Sequence, residues 1–221
     1  MSLRQWARVI VIVMTLALSA CATAPKSYDY SAYRNDPPRS ILVLPPTNDS
    51  VAVNAPYVYL STITRPLAEA GYYVFPVAVI DRFMTENGLA DPAEMQAVPL
   101  QKIDEIIDPD AVLYAHIVEW GQKYHLISSD TTVDIKARLV DADSGTLLWE
   151  GSARVVEASG NGQGGLIGAA IAALVDQIVD TVNERTREVA TRANATMIND
   201  PDNGLPLGPY NPDHVTDARR Q

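Results

Sequence analysis

The feature that most constrains the fold is a pair of alternating segments joined by a short turn. Apolar and polar side chains alternate through residues 132–140 and again through 147–156, and Asp143-Ser144-Gly145 lies between them. A period of two is typical of antiparallel strands that bury one face, and glycine can adopt the positive φ that a bulged type I hairpin turn requires. We therefore predict a hairpin whose buried face carries Val133, Ile135, Ala137, Leu139, Leu147, Trp149, Ala153 and Val155.

The other face of this hairpin is predicted to be solvated and charged. Opposite charges facing each other across the strands stabilise such a face. Its charged side chains are Asp134, Lys136, Arg138, Glu150 and Arg154.

The rest of the chain reads as alternating strands and helices. The predicted strands lie at 41–44, 72–75 and 111–120, and the predicted helices lie at 57–70, 79–86, 100–107 and 166–196. A further helix is predicted to start at residues 91–94. Crossover-like connections in the first half and a meander in the second favour one fold class. We predict a single α/β domain over residues 40–198, with a mixed, partly antiparallel sheet of about five strands flanked by helices.

The first twenty residues have the composition of a secretory leader. Arg4 and Arg8 precede an apolar run at 9–18, which is about half the length of a membrane-spanning helix. The tetrad at 18–21, Leu-Ser-Ala-Cys, resembles the bacterial lipobox. Residues 1–20 are therefore predicted to be a lipoprotein signal peptide, cleaved between Ala20 and Cys21.

Cys21 is predicted to be the lipid acceptor. It is the one cysteine of the chain, so the mature domain cannot form an internal disulfide. The lipobox resemblance implies a covalent diacylglycerol and an N-acyl chain on Cys21, which together give a stable anchor. Alanine at position 22 favours, by analogy with the lipoprotein class, the outer membrane with the domain facing the periplasm. No other cofactor and no metal are expected.

Charge excludes nucleic acid as a partner. Removal of Arg4 and Arg8 lowers the basic residues from 17 to 15 against 27 acidic ones, so the mature chain has a net charge of −12. Such a domain has no electrostatic reason to bind nucleic acid or anionic headgroups. We therefore expect contact with the membrane through the lipid alone.

The two ends of the mature chain are predicted to lie outside the domain. Residues 21–39 read as lipid anchor and flexible tether, whose eighteen residues after Cys21 could span roughly 60 Å. Residues 199–221 are rich in Asn, Asp, Pro and Gly, and read as a flexible tail or an extended arm.

A glycine-rich stretch precedes the last predicted helix. Gly160, Gly162 and Gly165 fit the G-x-G-x-x-G spacing of dinucleotide-binding loops. That loop opens a βαβ unit, whereas here no strand follows the helix. We predict a linker, and no bound nucleotide.

The start of the last predicted helix is apolar nearly all round. Burial against the sheet and a self-association or partner surface both explain this pattern. The candidate interface consists of Leu166, Ile167, Gly168 and Ile171.

No catalytic constellation is evident. His116 falls in a predicted strand and reads as a packed or edge histidine, while His214 lies in the tail. His125 precedes Ser128 and Asp130, but proximity in sequence is not triad geometry. Nucleophile-elbow, zinc and phosphate-loop motifs are not found. The chain is predicted not to be an enzyme, with no catalytic residues.

Several segments together resemble a proteobacterial lipoprotein family whose domain has no established function. They are residues 38–46, 110–117 and 141–151, with the lipobox and the glycine-rich entry to the last helix. The family is similar in plan to the amino-terminal domain of TolB, to the curli secretion lipoprotein CsgG and to lipoprotein activators of peptidoglycan synthases. The resemblance implies a periplasmic domain that acts through protein contacts and brings no catalytic residues.

These observations predict a non-catalytic interaction or assembly module in envelope biogenesis or export. Its partners are expected to be a second copy, another envelope protein such as a CsgG-like lipoprotein, or both. One alternative is a small-ligand-binding or hydrolytic domain that uses a cleft near residues 47–56. Another is a subunit of a CsgG-like secretion complex, although the chain lacks paired amphipathic hairpins long enough to form the pore itself.

Overall fold

The computed structural model describes residues 28–124, 129–159 and 175–220. The strands are β1 (Ser40–Val43), β2 (Thr47–Asn48), β3 (Tyr73–Val74), β4 (Ala111–Tyr124), β5 (Ser129–Asp141) and β6 (Leu147–Ser159). The helices are α1 (Ser31–Asn35), α2 (Ala55–Glu69), α3 (Val77–Glu86), α4 (Pro92–Gln96), α5 (Leu100–Ile107) and α6, described over Val175–Asn199, with a 3-10 turn at Ala218–Arg220. No helix among these described residues is long and apolar enough to cross a membrane.

The strands form one mixed sheet in the order β3-β1-β4-β5-β6, with β2 also paired to β4. The pairs β1–β3, β1–β4 and β2–β4 are parallel, and the β4–β5–β6 meander is antiparallel. The predicted single α/β domain with a mixed sheet is confirmed. Within the described residues the sheet has six strands instead of about five, because Thr47–Asn48 forms a two-residue strand that is too short to show a period in the sequence.

The predicted hairpin is confirmed, with one correction. Asp134 lies opposite Arg154, their charged atoms are 3.1 Å apart, and Gly145 has a φ of 71°. Leu147, predicted to be buried, is 42% exposed, whereas Leu148 is 2% exposed. A register shift after Leu139 falls at the start of β6, where Leu148 is the extra residue, so that Leu148 and Trp149 both enter the core.

Two apolar layers flank the sheet. The larger packs α2 and α6 against one face and contains Trp149, Tyr59, Leu67, Leu113, Ile135 and Ala193. The smaller packs α3, α4 and α5 against the other face and contains Leu42, Leu44, Ile80, Met84, Met95 and Ile103. The three short helices leave the meander uncovered on their side, because Lys136, Arg138, Glu150, Ser152 and Arg154 are all exposed there.

The prediction that residues 28–39 belong to a flexible tether is wrong. Tyr33 lies in α1 and Tyr30 directly precedes it, and both side chains are buried. The Tyr30 hydroxyl donates to the Gly204 carbonyl at 2.6 Å, and the Tyr33 and Tyr72 hydroxyls are 2.6 Å apart. A tyrosine ring buries apolar area while its hydroxyl finds a partner, so a polar-looking segment can be part of the core.

The described part of the predicted C-terminal tail is also ordered, and it forms an extended arm. Leu205 is fully buried, and the Trp149 indole N–H donates to the Asn203 carbonyl at 2.9 Å. The Gly208 N–H donates to the Ala70 carbonyl at 2.8 Å. The Asn, Asp and Gly residues that suggested disorder instead build tight turns. Of the two interpretations of residues 199–221, the flexible tail is wrong.

We expect Leu205→Ala to destabilise the domain by about 2–5 kcal/mol, because it removes buried methyl groups and leaves a cavity. Val215→Ala is the matched control, since Val215 lies on the same arm and is 70% exposed. Urea unfolding of both variants measures the difference. Equal stabilities would show that the arm does not contribute to the core.

Asp217 forms hydrogen bonds within the C-terminal arm, and these predict that the stability of the domain depends on pH. Burial by itself raises the pKa of the Asp217 carboxyl. Hydrogen bonds from the Arg219 side chain and from the Leu207 and Arg219 N–H groups lower this pKa by more than burial raises it, so the net pKa lies below the usual range. The charged form therefore stabilises the folded state above about pH 4, and this contribution is lost as pH falls through the lowered pKa.

We expect Asp217→Asn to lose less stability than the parent chain between about pH 5 and pH 2. Asp213→Asn, at an exposed carboxyl of the same arm, should leave the pH profile unchanged. Unfolding free energies measured across this window test the assignment. A parallel loss of stability in the parent and in Asp217→Asn would contradict it.

Candidate functional site

The two ring nitrogens of His116 lie within hydrogen-bond distance of a hydroxyl and of a carboxylate. Parallel pairing of β2 with β4 sets Thr47 beside His116, and Thr47 Oγ1 lies 2.8 Å from His116 Nδ1. Asp49 Oδ2 lies 3.0 Å from His116 Nε2. A neutral ring satisfies both contacts when Nε2–H donates to Asp49 and Nδ1 accepts the Thr47 hydroxyl proton.

This arrangement is that of a hydroxyl beside a general base, but it lacks other parts of a catalytic site. Asp49 has 66% of its side chain exposed, so water weakens its effect on the ring. The Asp49 N–H donates to the Ile117 carbonyl and the Ser50 N–H donates to Asn48 Oδ1, so neither amide is free to stabilise an oxyanion. Sequence analysis missed this set because Thr47 and Asp49 are 69 and 67 positions from His116.

The loop between β2 and α2 presents two valines to solvent. Val51 is 98% exposed and Val53 is 86% exposed. The loop is nevertheless well braced: Asn48 Nδ2 donates to the Ala52 carbonyl at 2.8 Å, and Ser50 Oγ donates to Asn48 Oδ1 at 2.7 Å. The valines are thus held outwards by local hydrogen bonds.

An acidic cleft lies beside this loop, where a cleft was predicted near residues 47–56. Its volume is about 510 Å³. Proline and methionine side chains line part of it, and Val53 and Tyr57 stand at its edge. Three carboxylates also line it, namely those of Asp49, Asp81 and Asp91. We call this surface the acidic cleft.

A second cavity crosses the uncovered face of the meander. Its volume is about 570 Å³. Its lining combines two cations and two carboxylates with aromatic and histidine rings, namely Lys136, Arg138, Glu150, Asp200, Tyr28, Tyr114 and His116. Burial raises the pKa of the Tyr114 hydroxyl, an effect that the nearby Arg138 charge partly offsets. We call this surface the meander groove.

The two cations of the meander groove lie two residues apart on β5. Lys136 lies between His116 and Ser152, and Arg138 lies between Tyr114 and Glu150. Within the described part of the chain, neither makes an ion pair, although Glu150 is directly across from Arg138.

Several residues singled out from the sequence lie outside the described ranges and remain predictions. They are Ala20, Cys21, His125, Ser128, Gly160, Gly162, Gly165, Leu166, Ile167, Gly168 and Ile171. His214 lies on the C-terminal arm, where its Nδ1 is 2.9 Å from the Asn211 carbonyl oxygen. Among the side chains that the structure describes, no group of three or more His, Cys, Asp or Glu could hold a metal ion.

Comparison with known proteins relates the chain to a family of lipoproteins. The family model "Putative lipoprotein GNA1162-like" matches residues 28–210. A Neisseria meningitidis serogroup B protein that carries a lipoprotein name, NMB1124/NMB1162, is 41% identical over 204 residues, which are 91% of this chain and 94% of the relative.

One solved structure gives the same relationship. The crystal structure of lipoprotein GNA1162 from Neisseria meningitidis is 45% identical, with a TM-score of 0.54 over 65% of this chain and 99% of that chain. PelC from Paraburkholderia phytofirmans is more distant, at 14% identity and a TM-score of 0.45 over 78% of this chain and 91% of that chain. The chain belongs to the GNA1162-like lipoprotein family.

Proposed function

We propose that this chain is an outer-membrane lipoprotein, acylated at Cys21, whose periplasmic domain acts as a non-catalytic interaction or assembly module in envelope biogenesis or export. Membership of a lipoprotein family supports the anchor, and the lipobox at 18–21 supplies its acceptor. The partner is a second copy of the chain, another envelope protein, or both, and a CsgG-like lipoprotein is one candidate.

The observation that carries the interaction role is the loop at residues 49–54 between β2 and α2, which has two exposed valines. We call it the braced loop. Val51 and Val53 are almost fully exposed while the backbone around them is fixed by hydrogen bonds. Exposed apolar side chains on a fixed backbone are typical of a binding surface, because little conformational entropy is lost when a partner covers them. The adjoining acidic cleft extends this surface.

The ordered N-terminal segment shortens the distance over which the module can act. Tyr28 is seven positions after Cys21, and it accepts a hydrogen bond from the Glu150 N–H at 2.8 Å. Seven extended residues span at most about 25 Å, compared with the roughly 60 Å expected for a tether that reaches residue 39. An acylated Cys21 therefore holds the domain near the membrane, and its partner must be reachable there.

The double variant Val51→Asp/Val53→Asp is expected to lose its envelope partner while remaining folded, because both side chains are solvent-exposed. Val79→Asp/Val215→Asp is the matched control, since these valines are 62% and 70% exposed at other places. The measurement is affinity purification of the lipidated protein from its own cells in mild detergent, with quantitative mass spectrometry.

Cys21→Ala serves as the anchor control in the same experiment, because it removes the acceptor of the lipid. A partner that copurifies in fixed ratio with the parent and with the Val79/Val215 control, but not with the loop variant, supports the interaction role. Unchanged capture by the loop variant would exclude the loop as the docking surface. A mature Cys21 without acyl chains, seen by mass spectrometry, would refute the anchor.

A second candidate function is suggested by the Thr47–His116–Asp49 contacts beside the acidic cleft. In this hypothesis His116 accepts the Thr47 proton and the cleft holds a small ester or amide. This candidate predicts that His116→Ala lowers hydrolysis of a chromogenic acetate ester by about 100-fold or more, the scale of general-base catalysis. Thr47→Val removes the hydroxyl and should have a similar effect. Equal rates in the parent and both variants would reject this candidate.

A further inference from the structure

We propose that the meander groove binds the headgroup of a zwitterionic phospholipid that carries a primary ammonium, in the membrane that holds the acylated Cys21. This inference rests on the proposed function, because the proposed anchor brings the groove to the lipid. It follows from three properties of the groove: its size and lining, the arrangement of its charges, and its position close to the anchor.

The meander groove has the size and the composition of a small-molecule site. Its volume of about 570 Å³ falls within the range of ligand-binding clefts, which is roughly 300–1,000 Å³. The row Ala115–Ala137–Gly151 lies between the two polar rows of the groove and lines it as well, so the groove reaches down to the sheet itself. The rings of Tyr28 and Tyr114 complete the lining with apolar surface. Polar groups that converge in such a cleft can fix the orientation of a small molecule.

The groove presents cations and carboxylates a short distance apart. Lys136 and Arg138 lie two residues apart on β5, and Glu150 on β6 is directly across from Arg138. Lys136 and Glu150 are therefore diagonal neighbours, which lie roughly 7–8 Å apart in an antiparallel pair. Asp200 adds a second carboxylate from the C-terminal arm. A ligand with both a negative and a positive group can therefore contact both kinds of side chain at once.

The charges further along the same sheet face are already paired with each other. Arg154 lies 3.1 Å from Asp134 and 3.3 Å from Glu119. Lys136, Arg138 and Glu150, in contrast, make no ion pair within the described part of the chain, although Arg138 and Glu150 face each other. A ligand can therefore bind these three side chains without first breaking an internal ion pair.

A zwitterionic phosphoester matches this arrangement. Its phosphate can accept charge-assisted hydrogen bonds from Lys136 and Arg138, and its primary ammonium has three donors for the carboxylates of Glu150 and Asp200. The ligand is neutral overall, so the excess of acidic residues in the chain, 27 against 17 basic ones, does not repel it as it repels an anionic headgroup. This contact is additional to the anchor, through which alone the sequence predicts contact with the membrane.

The anchor brings the groove to headgroups of this kind. Tyr28 lines the groove and is seven positions after Cys21, so at most about 25 Å of extended chain separates the two residues. The Glu150 N–H donates to the Tyr28 hydroxyl at 2.8 Å and holds this end of the segment at the groove. A short tether gives an effective concentration in the millimolar range, so a weak site is occupied. A free amino acid is also zwitterionic, but the chain itself holds only the membrane at this distance.

The test is native mass spectrometry of the acylated mature chain, released from mild-detergent micelles that contain increasing amounts of phosphatidylethanolamine. We expect one bound lipid, with a dissociation constant at least about tenfold lower than for either comparison lipid, the effect of one hydrogen bond to a charged group. Phosphatidylcholine is the first comparison, because its quaternary ammonium cannot donate a hydrogen bond. Phosphatidylglycerol is the second, because its headgroup has no cation.

Lys136→Gln and Glu150→Gln should each raise the dissociation constant for phosphatidylethanolamine by about tenfold or more, because each removes one charged partner of the headgroup. Lys102→Gln and Glu69→Gln are the matched controls. Their parent side chains are 62% and 61% exposed on α5 and α2, and neither lines the groove. Circular dichroism of each variant verifies that it is folded.

Glycerophosphoethanolamine, which is the headgroup without acyl chains, distinguishes a membrane lipid from a free phosphoester. We expect it to displace the lipid only at much higher concentration, because the anchor does not concentrate it near the groove. Binding of this free compound at the same concentration as the lipid, or at a lower one, would overturn the membrane as the source of the ligand.

Equal binding of the three lipids, or binding by Lys136→Gln and Glu150→Gln that matches the parent, would overturn the inference. The intact mass reports acylation in the same spectra, so this failure is separable from failure of the proposed function. An acylated chain that binds no phosphatidylethanolamine refutes the headgroup site and leaves the anchor and the interaction role in place. A mature Cys21 without acyl chains refutes the anchor, and with it the reason for placing the groove at the membrane.

Discussion

The parallel pairing of β4 with β1 and β2 is the constraint on which the rest of the structure depends. Three hydrogen bonds between Ser40 and Asp110, at the start of β1 and just before β4, set the register of this pairing. The Asp110 carboxylate accepts from the Ser40 N–H at 2.8 Å and from the Ser40 hydroxyl at 2.9 Å, and the Asp110 N–H donates to Ser40 Oγ at 2.9 Å. Leu113 and Ile117, further along β4, are fully buried. Because this register is fixed, β2 brings Thr47 beside His116 and starts the braced loop at the sheet edge.

Both ends of the described chain return to the same side of the domain. The Tyr28 hydroxyl accepts a hydrogen bond from a backbone N–H of the edge strand β6. The Tyr30 and Tyr72 hydroxyls donate to carbonyls of the C-terminal arm. Trp149, at the centre of the larger apolar layer, donates to the arm as well. The terminal segments therefore complete the core, and Tyr28, the first described residue, lines the meander groove.

The acidic cleft and the meander groove adjoin each other. His116 lines the meander groove while its hydrogen-bond partner Asp49 lines the acidic cleft, and the chain neighbours Met95 and Gln96 line one cavity each. The short helices α3, α4 and α5 cover one end of this sheet face and leave the meander open, which creates the meander groove next to α4. Val53 adds exposed apolar surface at the edge of the acidic cleft.

Local sequence determined the features that depend on neighbours in the chain. The alternation and Gly145 determined the β5–β6 hairpin, and Gly71 determined where α2 ends, because backbone conformation and strand period are local properties. Tertiary structure alone decided that Tyr30 and Leu205 are buried and that Leu148, not Leu147, enters the core. It also decided that Thr47 contacts His116. Composition does not show which distant backbone will accept a tyrosine hydroxyl, and a two-residue strand has no readable period. These features arise from contacts between residues far apart in the chain, so only the folded sheet could place them.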